Sequence, residues 1–313
     1  ITIDELPQED ALKLIESYQK GRIFPHEKER EAAKEIVKLL DGFTLAVEMT
    51  AIYLRDTNYR VSCQDFLKLL KSKGGLVGAE LAAKQSKTSI RHEKLISLTL
   101  APTLEKLSEE EKLVLSYASQ LPPDNIPIPW LKDLVKEKFP KLKKKAIPGI
   151  DDPWLSLINR LISLRILQIV EVHKNIPRIV RMHRLMQEEI CRLNIKEKRL
   201  TEIVNYVNIR SEFLKNGGWI NIKFKWEIFS INKTAIFWLN QNIYDSLLIA
   251  NQTGDSLSYL GKLNDAKQLF KLAIVIAERI CKPEDFREIA SFYNNLANVE
   301  EELGNYLEAK RLY

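Results

Sequence analysis

The sequence predicts a mostly α-helical protein: a helical first region, a middle region of short helices closing on a small β-hairpin, and a helical end built on a repeat. Three observations lead there. Glycine supplies only 11 of 313 residues and proline 12, while 45% of the chain is hydrophobic and 29% charged. That balance suits packed helices and excludes collagen-like, linker-like and disordered chains. Apolar residues recur at helical spacing along most of the chain, and only the runs 166–172 and 176–182 are β-branched and strand-like. Beyond residue 245 the chain repeats itself at a fixed offset.

Leu6-Pro7 opens the first helix, with proline near the first turn and Glu9 and Asp10 beside the unpaired N–H groups of the helix start. Ala11, Leu12, Leu14 and Ile15 give it an apolar face. Ala32, Ala33, Ile36, Val37 and Leu40 form a second stripe, which Asp41-Gly42 ends. Leu45–Leu54 reads as a more buried helix and Phe66–Leu70 as part of a fourth, with Gly74-Gly75 expected to break the pattern. Ile90–Leu104 is the last helix of this region, 1–103, broken or ended around Pro102.

The region 104–195 starts on Ser108-Glu109-Glu110-Glu111, a capping box with an acidic first turn. Pro122–Pro129 reads as a loop into Trp130, Leu131, Leu134 and Val135. Asp152-Pro153 starts a helix running to about Leu164. The two strand-like runs flank the short Lys174-Asn175 turn and form a hairpin, and Arg184–Leu193 returns to helix. Three helices followed by a hairpin is the winged-helix order. Residues 196–245 read as a helical linker whose Trp219, Phe224, Trp226, Phe229, Phe237 and Trp238 are core packing rather than a cofactor box. In 246–313, Leu260-Gly261 recurs as Leu303-Gly304, Ala266-Lys267 as Ala309-Lys310, and Leu269-Phe270 as Leu312-Tyr313, all at the same offset. The glycines suit turns between paired helices, and the alanines suit close helix crossings.

Forty-eight Lys plus Arg against 42 Asp plus Glu leaves +6, spread along the chain. This permits nucleic acid without arguing for it. The densest basic run, Lys136–Lys145, has six lysines in ten positions and reads as a solvated loop. Cys63, Cys191 and Cys281 are far apart and form no CxxC, and the four histidines lack metal-ligand spacing, so no disulfide framework or metal site is expected. A reducing cytoplasm fits best. No run approaches the roughly 18 apolar residues of a membrane span.

Asn295-Leu296-Ala297, then Gly304-Asn305-Tyr306, Ala309 and Leu312-Tyr313, resembles the tetratricopeptide repeat of the kinesin-light-chain type. Upstream, Leu6–Ile15, Gly42-Phe43-Thr44-Leu45-Ala46 and Met182-His183-Arg184 stand in the order of three pieces of the NB-ARC class of signal-transducing ATPases. They match the opening of its first helical (ARC1-like) subdomain, its GLPLA motif and its MHD motif. The resemblance implies that His183 contacts the β-phosphate of bound ADP, that Phe43 and Thr44 stand beside the nucleotide, and that Asn295 faces the peptide-binding groove of the repeats. Two departures matter: Thr44 replaces the proline that packs on adenine, and Arg184 replaces the aspartate that steadies the loop.

No GxxxxGK[ST] occurs, and Gly74-Gly75-Leu76-Val77-Gly78 lacks the lysine and hydroxyl that phosphate binding needs. The chain is therefore not expected to be an enzyme by itself, and it reads as the middle and part of the tail of a larger protein whose nucleotide domain precedes Ile1. The leading expectation is a regulatory, ligand-sensing segment of an ADP/ATP-switched signalling ATPase, with a protein or peptide ligand on the repeats and homo-oligomerisation on activation. A tetratricopeptide adaptor without a nucleotide role is the alternative. A winged-helix DNA-binding regulator is a further one, but its candidate recognition helix, 154–165, offers only Asn159, Arg160 and Arg165 to base edges, and residues 104–192 carry sixteen Lys plus Arg against twelve Asp plus Glu.

Overall fold

The protein is mostly helical. The computed structural model describes residues 5–18, 24, 26–57, 60–81, 88–143, 152–193, 197–221, 223–282 and 285–313. Contacts divide the chain into two compact units. One comprises 1–119, 135–171 and 180–195, and the other 120–134, 172–179 and 196–313.

In the first unit five helices come in succession: α1 (Gln8–Tyr18), α2 (Glu27–Leu39), α3 (Thr44–Asp56), α4 (Cys63–Leu81) and α5 (Thr88–Glu105). α1 packs on α2 and α3, α2 on α4, and α3 on α5. α3 is the central member, with Ala46, Val47, Met49, Ala51 and Ile52 fully buried. The expected break at Gly74-Gly75 does not occur, whereas α5 ends at Glu105, three residues past Pro102, as expected. Gly74-Gly75 lies inside α4 and Pro102 inside α5. A helical glycine costs only about 1 kcal/mol relative to alanine. Pro102 costs more, and the helix ends within a turn of it.

α6 (Glu109–Ala118) carries the capping box in full. The Ser108 hydroxyl accepts from Glu111 N, and the Glu111 carboxylate accepts from Ser108 N at 2.7 Å. The expected loop at 122–129 instead contains strand β1 (Ile126–Pro127) and the start of α7 (Ile128–Lys138). Of the lysine run, 136–138 belong to α7, 140–143 form a 3-10 turn, and 144–145 lie outside the described residues. Asp152 caps α8 (Pro153–Ser163) by accepting from Trp154 N and Leu155 N. β2 (Gln168–His173) and β3 (Ile176–Arg181) form the hairpin, and β3 is the middle strand of the sheet β1-β3-β2. Lys174 and Asn175 both take positive φ, 50° and 62°. That is the turn geometry whose twist matches paired strands. α9 (Arg184–Leu193) follows and packs on α5 and α6.

The second unit is dominated by six helices: α10 (Glu197–Lys215), α11 (Lys225–Leu239), α12 (Ser246–Tyr259), α13 (Leu263–Ile280), α14 (Phe286–Glu302) and α15 (Tyr306–Leu312). Each packs on its successors: α12 lies against α10, α11 and α13, and α14 against α13 and α15. The stacking of helices therefore starts at α10, inside the stretch expected as a linker. The sequence repeat is also a repeat of backbone geometry. Gly261 and Gly304 have φ of 70° and 79°. The residues after them, Lys262 and Asn305, have φ/ψ of −87°/54° and −85°/55°. Their N–H groups bond back to Leu257 O and Glu300 O at 2.8 Å each. A side chain at Gly254 would lie 2.3 Å from Phe270, so α12 and α13 touch through the missing Cβ. The repeat offset places Ala297 at the matching point of α14.

Candidate functional site

Three of the candidate residues sit at helix starts in the first unit. Leu6 N–H donates to Gly42 O at 2.8 Å, and Glu5 bridges Phe43, so the entry to α1 is tied to the turn before α3. Gly42 has φ +66°, and a Cβ there would lie 2.3 Å from Leu6 O. Only glycine fits both demands. Phe43 precedes α3 and is 4% exposed, its side chain taken up by the core. Thr44 is the first residue of α3 and half-buried. The position thus offers the threonine and the turn's backbone, with no aromatic face open to a ligand.

His183 follows the hairpin directly and precedes α9. It is exposed, and its Nδ1 accepts from Leu185 N–H at 3.3 Å, so the imidazole caps its own helix. An accepting Nδ1 assigns the ring proton to Nε2. The neighbouring Arg184 is ion-paired with Glu188 at 2.8 Å along the helix. Met182 is buried just before it.

Asn295 lies in the second unit, on α14. Its Nδ2 donates to Asn251 Oδ1 on α12 at 2.6 Å, and Asn251 Nδ2 donates to Ser291 Oγ at 3.2 Å. Just beyond this ladder, between the first turns of α12 and α14, is a cleft of about 320 Å³. Leu247 and Phe292 form its buried floor, and Leu248 is half exposed beside them. Tyr244 OH donates to Glu288 Oε2 at 2.8 Å at the rim. That bond, with burial and the charges of Glu288 and Asp285, holds the phenol above its ordinary range. Asp245 and Arg287 complete the lining.

Sequence reasoning singled out Asn295 but missed Asn251, Tyr244, Asp245 and Arg287. The repeat itself held part of the signal. The offset places Asn295 on Gln252, and Gln252 Oε1 accepts from Ser211 on α10. At equivalent points, then, each of two helices bonds back to the helix preceding it in the stack. No cluster of three or more His, Cys, Asp or Glu that could hold a metal occurs among the described residues, and no described helix is long and apolar enough to cross a membrane.

No family model and no curated protein matches the chain.

Proposed function

We propose that the chain is the regulatory and ligand-sensing segment of a nucleotide-switched signalling ATPase, resembling the NB-ARC class, whose stacked helix pairs receive a protein or peptide ligand. The observation that carries the reading is His183: exposed, directly after the hairpin, and oriented by its own helix start. The group to be sensed is ADP, held by a phosphate-loop domain outside this chain. The residues fit one end of it. A ring protonated on Nε2 at a helix N-terminus suits a phosphate oxygen, and such a bond is worth about 1.5–3 kcal/mol, or roughly tenfold to a hundredfold in affinity. They fit the adenine end less well, because Phe43 is in the core and Thr44 stands where the class has proline.

The full-length protein that carries this chain is expected to retain ADP through purification and to lose it on His183→Ala, read by chromatography of nucleotide released on denaturation. Unchanged ADP content refutes the sensor role. Absence of ADP from both forms supports the second reading, an adaptor whose cleft between α12 and α14 binds ligand without a nucleotide. The DNA-binding reading loses two of its three polar candidates to carboxylates. Arg160 is paired with Glu111 at 3.0 Å, and Arg165 lies 3.8 Å from Glu48.

A further inference from the structure

The cleft between α12 and α14 combines three features that together select a ligand. Its floor is apolar, from Leu247, Leu248 and Phe292. Besides Glu288, its rim carries the cation Arg287 and the anion Asp245, both exposed and neither with a hydrogen bond or ion pair among the described residues. These charges are the chain neighbours of Glu288 and Tyr244, whose bond at 2.8 Å ties the two helix starts together. Opposite unpaired charges thus flank one bonded pair at the same rim.

The size is sufficient. A volume of about 320 Å³ leaves ample room for one amino acid. We propose that the cleft binds a free amino acid with an apolar side chain. Arg287 takes the α-carboxylate, Asp245 takes the α-ammonium with Glu288 adding to the negative field, and the side chain covers Leu247, Leu248 and Phe292. The site is independent of the nucleotide role and differs from a groove for protein ligands, in which the backbone amines and carboxyls of the ligand are tied up in peptide bonds. Two solvent-accessible charge contacts and one half-covered apolar side chain together contribute about 2–3.5 kcal/mol, which supports a Kd of about 3–30 mM.

The test is calorimetric titration of the 313-residue chain with leucine, methionine and phenylalanine, and with N-acetyl-leucine and leucine amide. The free amino acids are expected to bind, and each capped form to bind about two- to fivefold more weakly. Arg287→Ala should remove the preference for leucine over its amide, and Asp245→Asn the preference over N-acetyl-leucine, each with unchanged helical circular dichroism because both residues are exposed. No binding at up to about 100 mM overturns the proposal. So does equal binding of leucine and N-acetyl-leucine, which identifies a site for peptide C-termini and leaves the protein-binding role standing. Binding that both substitutions leave unchanged places the ligand elsewhere and also overturns it.

Discussion

Gly254→Ala sets two effects of similar size against each other within α12. Alanine in a helix interior is favoured over glycine by about 1 kcal/mol. Against this, the new Cβ would lie 2.3 Å from Phe270 Cζ and 2.4 Å from Cε1. Comfortable carbon contacts begin near 3.5 Å, so the ring or the helix must retreat by roughly 1.2 Å. The ring has nowhere open to go: Phe270 is 1% exposed and packs on Phe292 with ring centroids 6.3 Å apart. Overpacking of this kind costs about 1–3 kcal/mol, and an overlap this deep belongs in the upper part of that range. The net expectation is a loss of about 1–2 kcal/mol. Phe270→Leu removes the ring atoms that clash, so the double variant should recover part of the loss, with a coupling energy of about 1 kcal/mol or more. Urea unfolding of the four proteins, compared at equal m-value, measures both quantities. If Gly254→Ala stabilises by the propensity gain alone, or if the two costs simply add, the close crossing of α12 and α13 is not what requires glycine.

Glu227 is 2% exposed and accepts from Trp130 Nε1 at 2.8 Å and from Arg210 through two bonds of 2.7 and 2.6 Å. Glu227→Ala should cost about 3–5 kcal/mol in urea unfolding, whereas replacing Arg210 and Glu227 together by Met and Leu should cost much less, because no charge is then left buried without its partner. Gly42→Ala combines a φ of +66° with a clash on Leu6 O and should cost about 2–3 kcal/mol; faster hydrogen exchange at Leu6 N–H would locate the damage. Burial pushes the Glu300 carboxyl up, but bonds from Lys267 and Asn305 and the charges of Lys267 and Lys271 bring it below its ordinary value of 4.5. A carboxyl depressed in the folded state stabilises above that value, and the contribution is lost as pH falls through and below it. The unfolding midpoint of the native chain should therefore fall more steeply than that of Glu300→Gln between about pH 5 and 3, and parallel slopes would contradict the assignment.

Features legible in the sequence were those settled over a few residues. The Ser108–Glu111 box, the Asp152 cap and the Lys174-Asn175 turn each depend on partners no more than three positions apart. Gly261 and Gly304 showed themselves because turn geometry demands a positive φ at both, and the chain meets the demand twice with the same residue. The misreadings have the opposite character. Gly74-Gly75 is a local signal to stop that α4 runs through, and β1 exists only because β3 lies beside it. The tie between Trp130, Arg210 and Glu227 spans 97 positions on one side and 17 on the other. No periodicity reports such a tie.

The candidate site was half hidden for a further reason, which the stack of helices supplies. Between α10 and α12 the bond is Ser211 to Gln252, and between α12 and α14 it is Asn295 to Asn251. What recurs is a side-chain hydrogen bond between one helix and the next but one, with the direction of donation reversed between the two, and the residue types are free to differ. A search for repeated identities therefore finds the turns and the small residues at crossings, where geometry admits one solution, and passes over the polar ties, where it admits several. The same bond limits what Asn295 can contribute to a ligand. Its amide already donates to Asn251 at 2.6 Å. A ligand that recruits it exchanges one hydrogen bond for another and keeps only the difference, on the order of 1 kcal/mol or less. The unpaired charges of Arg287 and Asp245 carry no such prior bond, so affinity and discrimination at this end of the stack should reside in them.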